Sequence, residues 1–145
     1  RRVLFRSGSN VTDRLREEAV GNMASVSSAV REVRARLLDL QRNLAKEADV
    51  IMDGRDIGTN ILPNADVKIY LTASVKTRAD RRYKELTEKG ISCSYEEIAE
   101  DIKKRDERDM SRETAPLKQA EDAILIDSSD MSIEEVVHAI CRQCK

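Results

Sequence analysis

Three short apolar runs of strand character, set apart by helical segments with clear start and stop signals, constrain this chain more than any other feature. Val50-Ile51-Met52 precedes a charged glycine turn, VKIYLTAS follows at 67–74, and AILID stands at 123–127. Two helices separate the second run from the third. One covers 75–89 and is stopped by Gly90; the other covers 95–109 and opens on Ser94-x-x-Glu97, a capping box. Strands joined by connections of this size, with helical segments on either side, argue for an α/β unit with a parallel sheet. A second capping box, Ser132-x-x-Glu135, starts a last helix whose Ile133, Val136, Val137 and Ile140 form the expected buried stripe. Nearer the beginning, apolar residues at 26, 30, 33, 37, 40 and 44 alternate spacings of four and three, which predicts one amphipathic helix running to about Lys46. Ahead of it, Val3-Leu4-Phe5 and the turn-like Ser7-Gly8-Ser9-Asn10 read as a hairpin piece or as foreign sequence.

Glycine sets a second limit. The five glycines stand at 8, 21, 54, 58 and 90, so neither G-x-x-x-x-G-K-[ST] nor G-x-G-x-x-G can be written anywhere in the 145 residues. The chain opens on Arg1 and has its first Met at Met23, which predicts a natural N-terminus upstream. A net charge of −1 with 37% charged residues argues against a broad basic surface for nucleic acid. The 17 Arg against 9 Lys favour an anionic ligand, or reflect genomic base composition. No apolar stretch nears the roughly 18 residues of a membrane span and no signal-peptide pattern opens the chain, so a soluble, cytoplasmic protein is expected. Cys93, Cys141 and Cys144 fit a reducing compartment, and Cys141-x-x-Cys144 reads as a tail with two free thiols. His138 is the single histidine, which leaves neither a Ser-His-Asp triad nor a multi-histidine metal site.

The chemistry concentrates in three places. Asp53-Gly54-Arg55-Asp56 leaves a strand with three charged side chains around a glycine, where ligands of open α/β sheets bind. Asp53 could hold a hydrated Mg2+, Arg55 could clamp a phosphate and Asp56 could accept from an amino group or hydroxyl; the alternative is a turn whose Arg and Asp pair with each other and with solvent. On the 95–109 helix, Ile98 and Ile102 face inward, and the same spacing brings Arg105, Asp109 and Arg112 onto or near that stripe. Buried charges must be paired or bound, so these three either line a polar cleft or form an i,i+4 pair on a frayed surface turn. Arg78, Arg81 and Arg82 share one helix face, as a polyphosphate contact or as a solvated face.

Taken together, the motifs resemble the bacterial cytidylate kinases of the nucleoside monophosphate kinase family. The resemblance runs from about Val11 to Val137 through VT-x-x-L-R at 11–16, VGN-x-AS at 20–25, MDGRDIGT at 52–59, LP-x-AD-x-KI-x-L-x-AS at 62–74, IKKRDERD-x-x-R at 102–112, APLK-x-AEDAILIDSS at 115–129 and MSIEEVV at 131–137. It implies transfer of the γ-phosphoryl group of ATP·Mg2+ to CMP or dCMP. A monomer is expected, and the composition read above leaves no nucleic-acid or membrane partner expected. It assigns Ser25, Arg105 and Asp109 to the pentose, Arg34, Asp56 and Arg112 to the cytosine end, and Arg55 to phosphate. Asp53 takes the strand-end position near Mg2+, and Arg78, Arg81 and Arg82 precede a short lid over ATP. The chemistry rests on alignment and charge neutralisation rather than on a covalent protein group.

The implied fold is a partial phosphate-loop kinase domain: a parallel sheet with flanking helices, lacking the first strand and the phosphate loop. Residues 1–47 would supply the remainder of the monophosphate-binding region and a connecting helix. Residues 48–145 would supply the C-terminal part of the core, with the lid near 78–95. A chain so arranged is expected to bind CMP weakly and to show no measurable turnover. Two other readings stand beside it: a kinase for UMP or AMP, and a non-catalytic nucleotide-binding or interaction module in which the 26–46 helix serves a partner.

Overall fold

The computed structural model describes residues 5–12 and 14–144, so Val3 and Leu4 of the first apolar run lie outside the described residues. The chain divides into two compact units, one up to Leu40 and one from Gln41 onward.

In the first unit, β1 (Phe5–Arg6) pairs antiparallel with β2 (Ser9–Asn10), so the hairpin reading holds for residues 5–10. Its two-residue turn puts Ser7 at φ 48° and Gly8 at φ 81°, the positive pair that tight hairpins require. After a 3-10 turn at Arg14–Arg16 comes α1 (Glu18–Ser27). The single helix expected from Val26 to Lys46 is two helices: Val26 ends α1, and α2 runs from Arg31 to Glu47. The break has a local cause. Ser27 and Ser28 donate their hydroxyls back to the carbonyls of Ala24 (3.3 Å) and Ser25 (2.9 Å), competing with the helical ladder, and the Arg34 guanidinium donates to the Ser28 carbonyl at 3.2 Å. Apolar spacing continues unbroken through the gap and so gives no sign of it. No described residue of α2 is buried.

The second unit is α/β. Its parallel pair is β3 (Ile69–Thr72) beside β4 (Ile124–Asp127), with Ile69 opposite Ile124 and Thr72 opposite Asp127. Between them run α3 (Val75–Glu88) and α4 (Tyr95–Ser111), packed around Ala79, Leu86 and Ile98, with Cys93, Tyr95, Ala99 and Ile102 at the margin. Gly90 turns the chain between them at φ 69°, as a stop signal should. The expected strand at Val50–Met52 does not form. No described strand runs beside it to complete its backbone bonds, and Val50 and Ile51 are exposed.

Ser94 accepts from the Glu97 amide at 3.3 Å and donates its hydroxyl to Glu96 at 2.9 Å, which makes one half of the expected capping box. The box on α5 (Ile133–Cys141) is complete: Ser132 accepts from the Glu135 amide at 3.2 Å and Glu135 accepts from the Ser132 amide at 2.8 Å. The buried stripe of α5 differs from expectation. Ala139 is buried and Val136 and Ile140 half-buried, whereas Val137 is exposed and Ile133 is 80% exposed.

The α5 box yields a pH prediction. The bonds from Ser132 hold the Glu135 carboxyl below its ordinary value, so the stabilisation they give is present above the usual glutamate range and is lost as pH falls through the lowered value. Ser132→Ala is expected to cost the helix cap about 1 kcal/mol. In that variant the amide at 132 still donates to the Glu135 carboxyl, so carbon-detected NMR titration should find the Glu135 pKa raised part of the way toward the ordinary value; an unmoved pKa would contradict a hydroxyl contribution to the cap.

Candidate functional site

Two stretches of the second unit, about fifty residues apart in sequence, bring five charged side chains together. The first stretch is the turn after Met52. A Cβ on Gly54 would lie 2.9 Å from Ile57 Cγ1, so glycine allows the chain to fold back tightly here. Asp56 is buried, and its carbonyl accepts from the amides of Asn60 (2.9 Å) and Ile61 (3.3 Å), opening a short π-type turn at Ile57–Ile61. Arg42 secures the far end of that turn, donating Nε to the Ile61 carbonyl at 3.0 Å and Nη2 to that of Asn60 at 2.9 Å. Arg42 stands off the apolar stripe at 33, 37, 40 and 44, and its partners lie 18 and 19 residues away, so no local pattern points to it.

The second stretch is the end of α4. Asp109, only 2% exposed, is the hub. Its Oδ2 accepts from Arg55 Nε at 3.2 Å and lies 3.9 Å from Arg105 Nε, and its Oδ1 lies 3.8 Å from Arg112 Nη1. Arg112 Nη2 is 3.8 Å from Asp56 Oδ1, so one guanidinium faces both carboxylates. Arg105, Asp109 and Arg112 therefore converge as the helical spacing implied, and Arg55 and Asp56 join them. Three guanidiniums around two carboxylates leave the cluster one positive charge in excess. Burial, and then the neighbouring Arg55 charge, pull the Arg105 guanidinium below its ordinary value, with Asp109 opposing. Arg105 Nε is buried with no hydrogen-bond partner among the described residues, a costly position for a charged donor.

The expected lid arginines are engaged differently. Arg78 makes a bidentate pair with Asp106 (Nη1–Oδ1 3.0 Å, Nη2–Oδ2 2.6 Å) and donates Nε to the Ala73 carbonyl at 3.0 Å. Arg81 donates to the Ser128 carbonyl at 2.6 Å and to its hydroxyl at 3.3 Å. Arg82 pairs with Glu85 at 3.0 Å on its own helix, and bonds from Lys89 and Arg82 hold that carboxyl below its usual range. Asp106 and Ser128 stand inside motifs of the sequence without an assigned role. The signal for Ser128 was its place just past a parallel strand's carboxyl end.

Asp53 is exposed, at the end of a segment that is not a strand. Among the described residues no group of three or more His, Cys, Asp or Glu converges on a metal position. A lone exposed carboxylate suits an Mg2+ held mainly by water and phosphate oxygens. Ser25 is buried in α1 and Arg34 lies near the start of α2, both in the first unit. Among the described residues no helix is long and apolar enough to cross a membrane.

Comparison of the sequence with known proteins finds relatives along nearly all of the chain. A family model described as Cytidylate kinase matches residues 1–145. A cytidylate kinase of Caldicellulosiruptor bescii is 52% identical over 140 residues, 97% of this chain and 62% of the relative. Another, from Bacillus subtilis, is 45% identical over 137 residues, 94% of this chain and 61% of the relative. The chain thus spans about three fifths of the length of the curated relatives it matches.

Proposed function

The chain belongs to the cytidylate kinase family, and from that premise we propose that it carries the acceptor-recognition and lid residues of an enzyme transferring a phosphoryl group from ATP to CMP or dCMP, giving ADP and CDP or dCDP. The observation that carries the reading is the cluster of Arg55, Asp56, Arg105, Asp109 and Arg112, a set of fork-shaped donors and fixed acceptors suited to a nucleotide's phosphate, sugar hydroxyls and base edge. Arg105 and Asp109, with Ser25, serve the pentose. Asp56 and Arg112, with Arg34, serve the cytosine end, and Arg55 serves the phosphate. A bound pentose hydroxyl would give the buried Arg105 Nε the acceptor it lacks.

Asp53 would hold, through water, the Mg2+ that accompanies ATP, and that ion would supply charge neutralisation for the phosphates. Arg78, Arg81 and Arg82 belong to the lid near 78–95, within a C-terminal core at 48–145; residues 1–47 complete the monophosphate region within one partial phosphate-loop kinase domain. The protein acts as a cytoplasmic monomer without nucleic-acid partners.

NMR titration of this chain tests the reading. CMP is expected to shift the side-chain resonances of Arg55, Arg105 and Arg112, with UMP and AMP weaker. Arg105→Ala is expected to weaken CMP binding by roughly tenfold to a hundredfold, the worth of a hydrogen bond to a charged group. Equal responses to the three nucleotides would point to another acceptor, and no response at these arginines would refute the assignment. A second reading, an interaction module, is favoured by one observation: α2 leaves Val33, Leu37, Leu40 and Leu44 exposed.

A further inference from the structure

Just past α4 the backbone does something alanine rarely does. Ala115 stands at φ 52°, in the left-handed region where a Cβ crowds the following carbonyl, and it precedes Pro116, which restricts its conformation further. Such strain persists only where the surroundings impose it. Here two bonds clamp the loop back onto the helix end: the Leu117 amide donates to the Asp109 carbonyl at 2.7 Å, and Arg112 Nε donates to the Ala115 carbonyl at 2.6 Å. The second bond sets the carbonyl of this left-handed residue directly against the Arg112 guanidinium. Arg112 is 9% exposed, and its Nη1 and Nη2 lie 3.8 Å from Asp109 and Asp56. Fixing Nε therefore fixes the guanidinium plane between those two carboxylates.

We propose that Ala115 is a positioning residue that acts through Arg112, its left-handed carbonyl setting the plane in which that guanidinium meets the base of the nucleotide acceptor. The inference rests on the acceptor reading above for what Arg112 meets, but not for how Arg112 is held. Discrimination between bases that differ in one exocyclic group requires a donor fork held in one orientation, since a fork free to rotate serves an amino-bearing and a carbonyl-bearing edge alike. Ala115 supplies that restraint from outside the site, and any side chain able to take positive φ would do the same.

The test begins on the unaltered chain. Its Arg112 Nε–H is expected to give a distinct resonance with slowed solvent exchange, and exchange at the rate of a free arginine would overturn the proposal without any variant. Ala115→Gly, which takes positive φ without a Cβ penalty, should keep that resonance and the CMP affinity. Ala115→Val, whose branched side chain opposes positive φ, should lose the resonance, bind CMP roughly tenfold more weakly and narrow its preference for CMP over UMP. In an Arg112→Lys background the two substitutions at 115 should no longer differ in affinity. An Arg112 signal unmoved by A115V, or an affinity difference that persists with lysine at 112, would sink the proposal. If the unaltered chain binds no CMP, the acceptor reading fails while the Nε–H measurement still decides whether Ala115 holds Arg112.

Discussion

Asp109→Ala is expected to destabilise the folded chain by about 3–5 kcal/mol, the range for breaking a buried ion pair from one side. Asp109 is 2% exposed and its carboxylate faces Arg55, Arg105 and Arg112, so its removal takes away the counter-charge these three guanidiniums share. Their shares are unequal. Arg55 and Arg105 have side chains 43% and 34% exposed and can turn to water, which discounts their part. Arg112 is only 9% exposed, with Asp56 as its other carboxylate, and carries most of the loss. Asp109→Asn keeps the volume and removes the charge, so it should fall between the variant and the parent. Urea unfolding followed by circular dichroism measures both, and an unchanged midpoint in Asp109→Ala would show that the cluster is not a buried network. The Asp109 backbone carbonyl still accepts from Leu117, so the 112–117 loop should stay in place and the cost be electrostatic.

Ile98→Ala should lower stability by about 2–4 kcal/mol. Ile98 is buried against Ala79 and Leu86, and these three are the only buried members of the α3–α4 core cluster among the described residues. With so few large side chains there, the lost methyl groups leave a gap that neighbours fill poorly. Ile133→Ala removes the same atoms from a position 80% exposed and is expected to change stability by less than about 0.5 kcal/mol. Thermal unfolding of the pair separates transfer of apolar area into a core from composition alone. Similar shifts in both variants would mean that the α3–α4 interface is not the core of the second unit.

These expectations draw on features that differ in how far they could be read in advance. The starts of α4 and α5 and the stop at Gly90 are local: a serine before an acidic first turn, or a glycine after an apolar stripe, acts through bonds within four residues. The convergence of Arg105, Asp109 and Arg112 is likewise written in helical spacing. The strand status of Val50–Met52 depends on a neighbour to pair with, which no run of three residues can encode. The break at Ser28 was hidden because apolar spacing runs through it, while the serine hydroxyls that interrupt the ladder look like ordinary polar residues. Arg42 and Asp106 act on partners 18 to 28 residues away, beyond any local pattern. Ala115 gives no signal at all, since alanine before proline suggests extended backbone.

Arg78 ties the Ala73 carbonyl, the first turn of α3 and the last turns of α4 at one spot. These bonds fasten α3 and α4 to each other at the end where α3 leaves β3. From that end α3 extends 14 residues, about 21 Å at 1.5 Å per residue, to the Gly90 end. A rigid tilt of only ~10° about the fastened end would sweep the tip through ~4 Å, a leverage set by helix length. Releasing the Arg78–Asp106 bonds with Asp106→Ala would then show as motion greatest at Gly90 and least at Ala73.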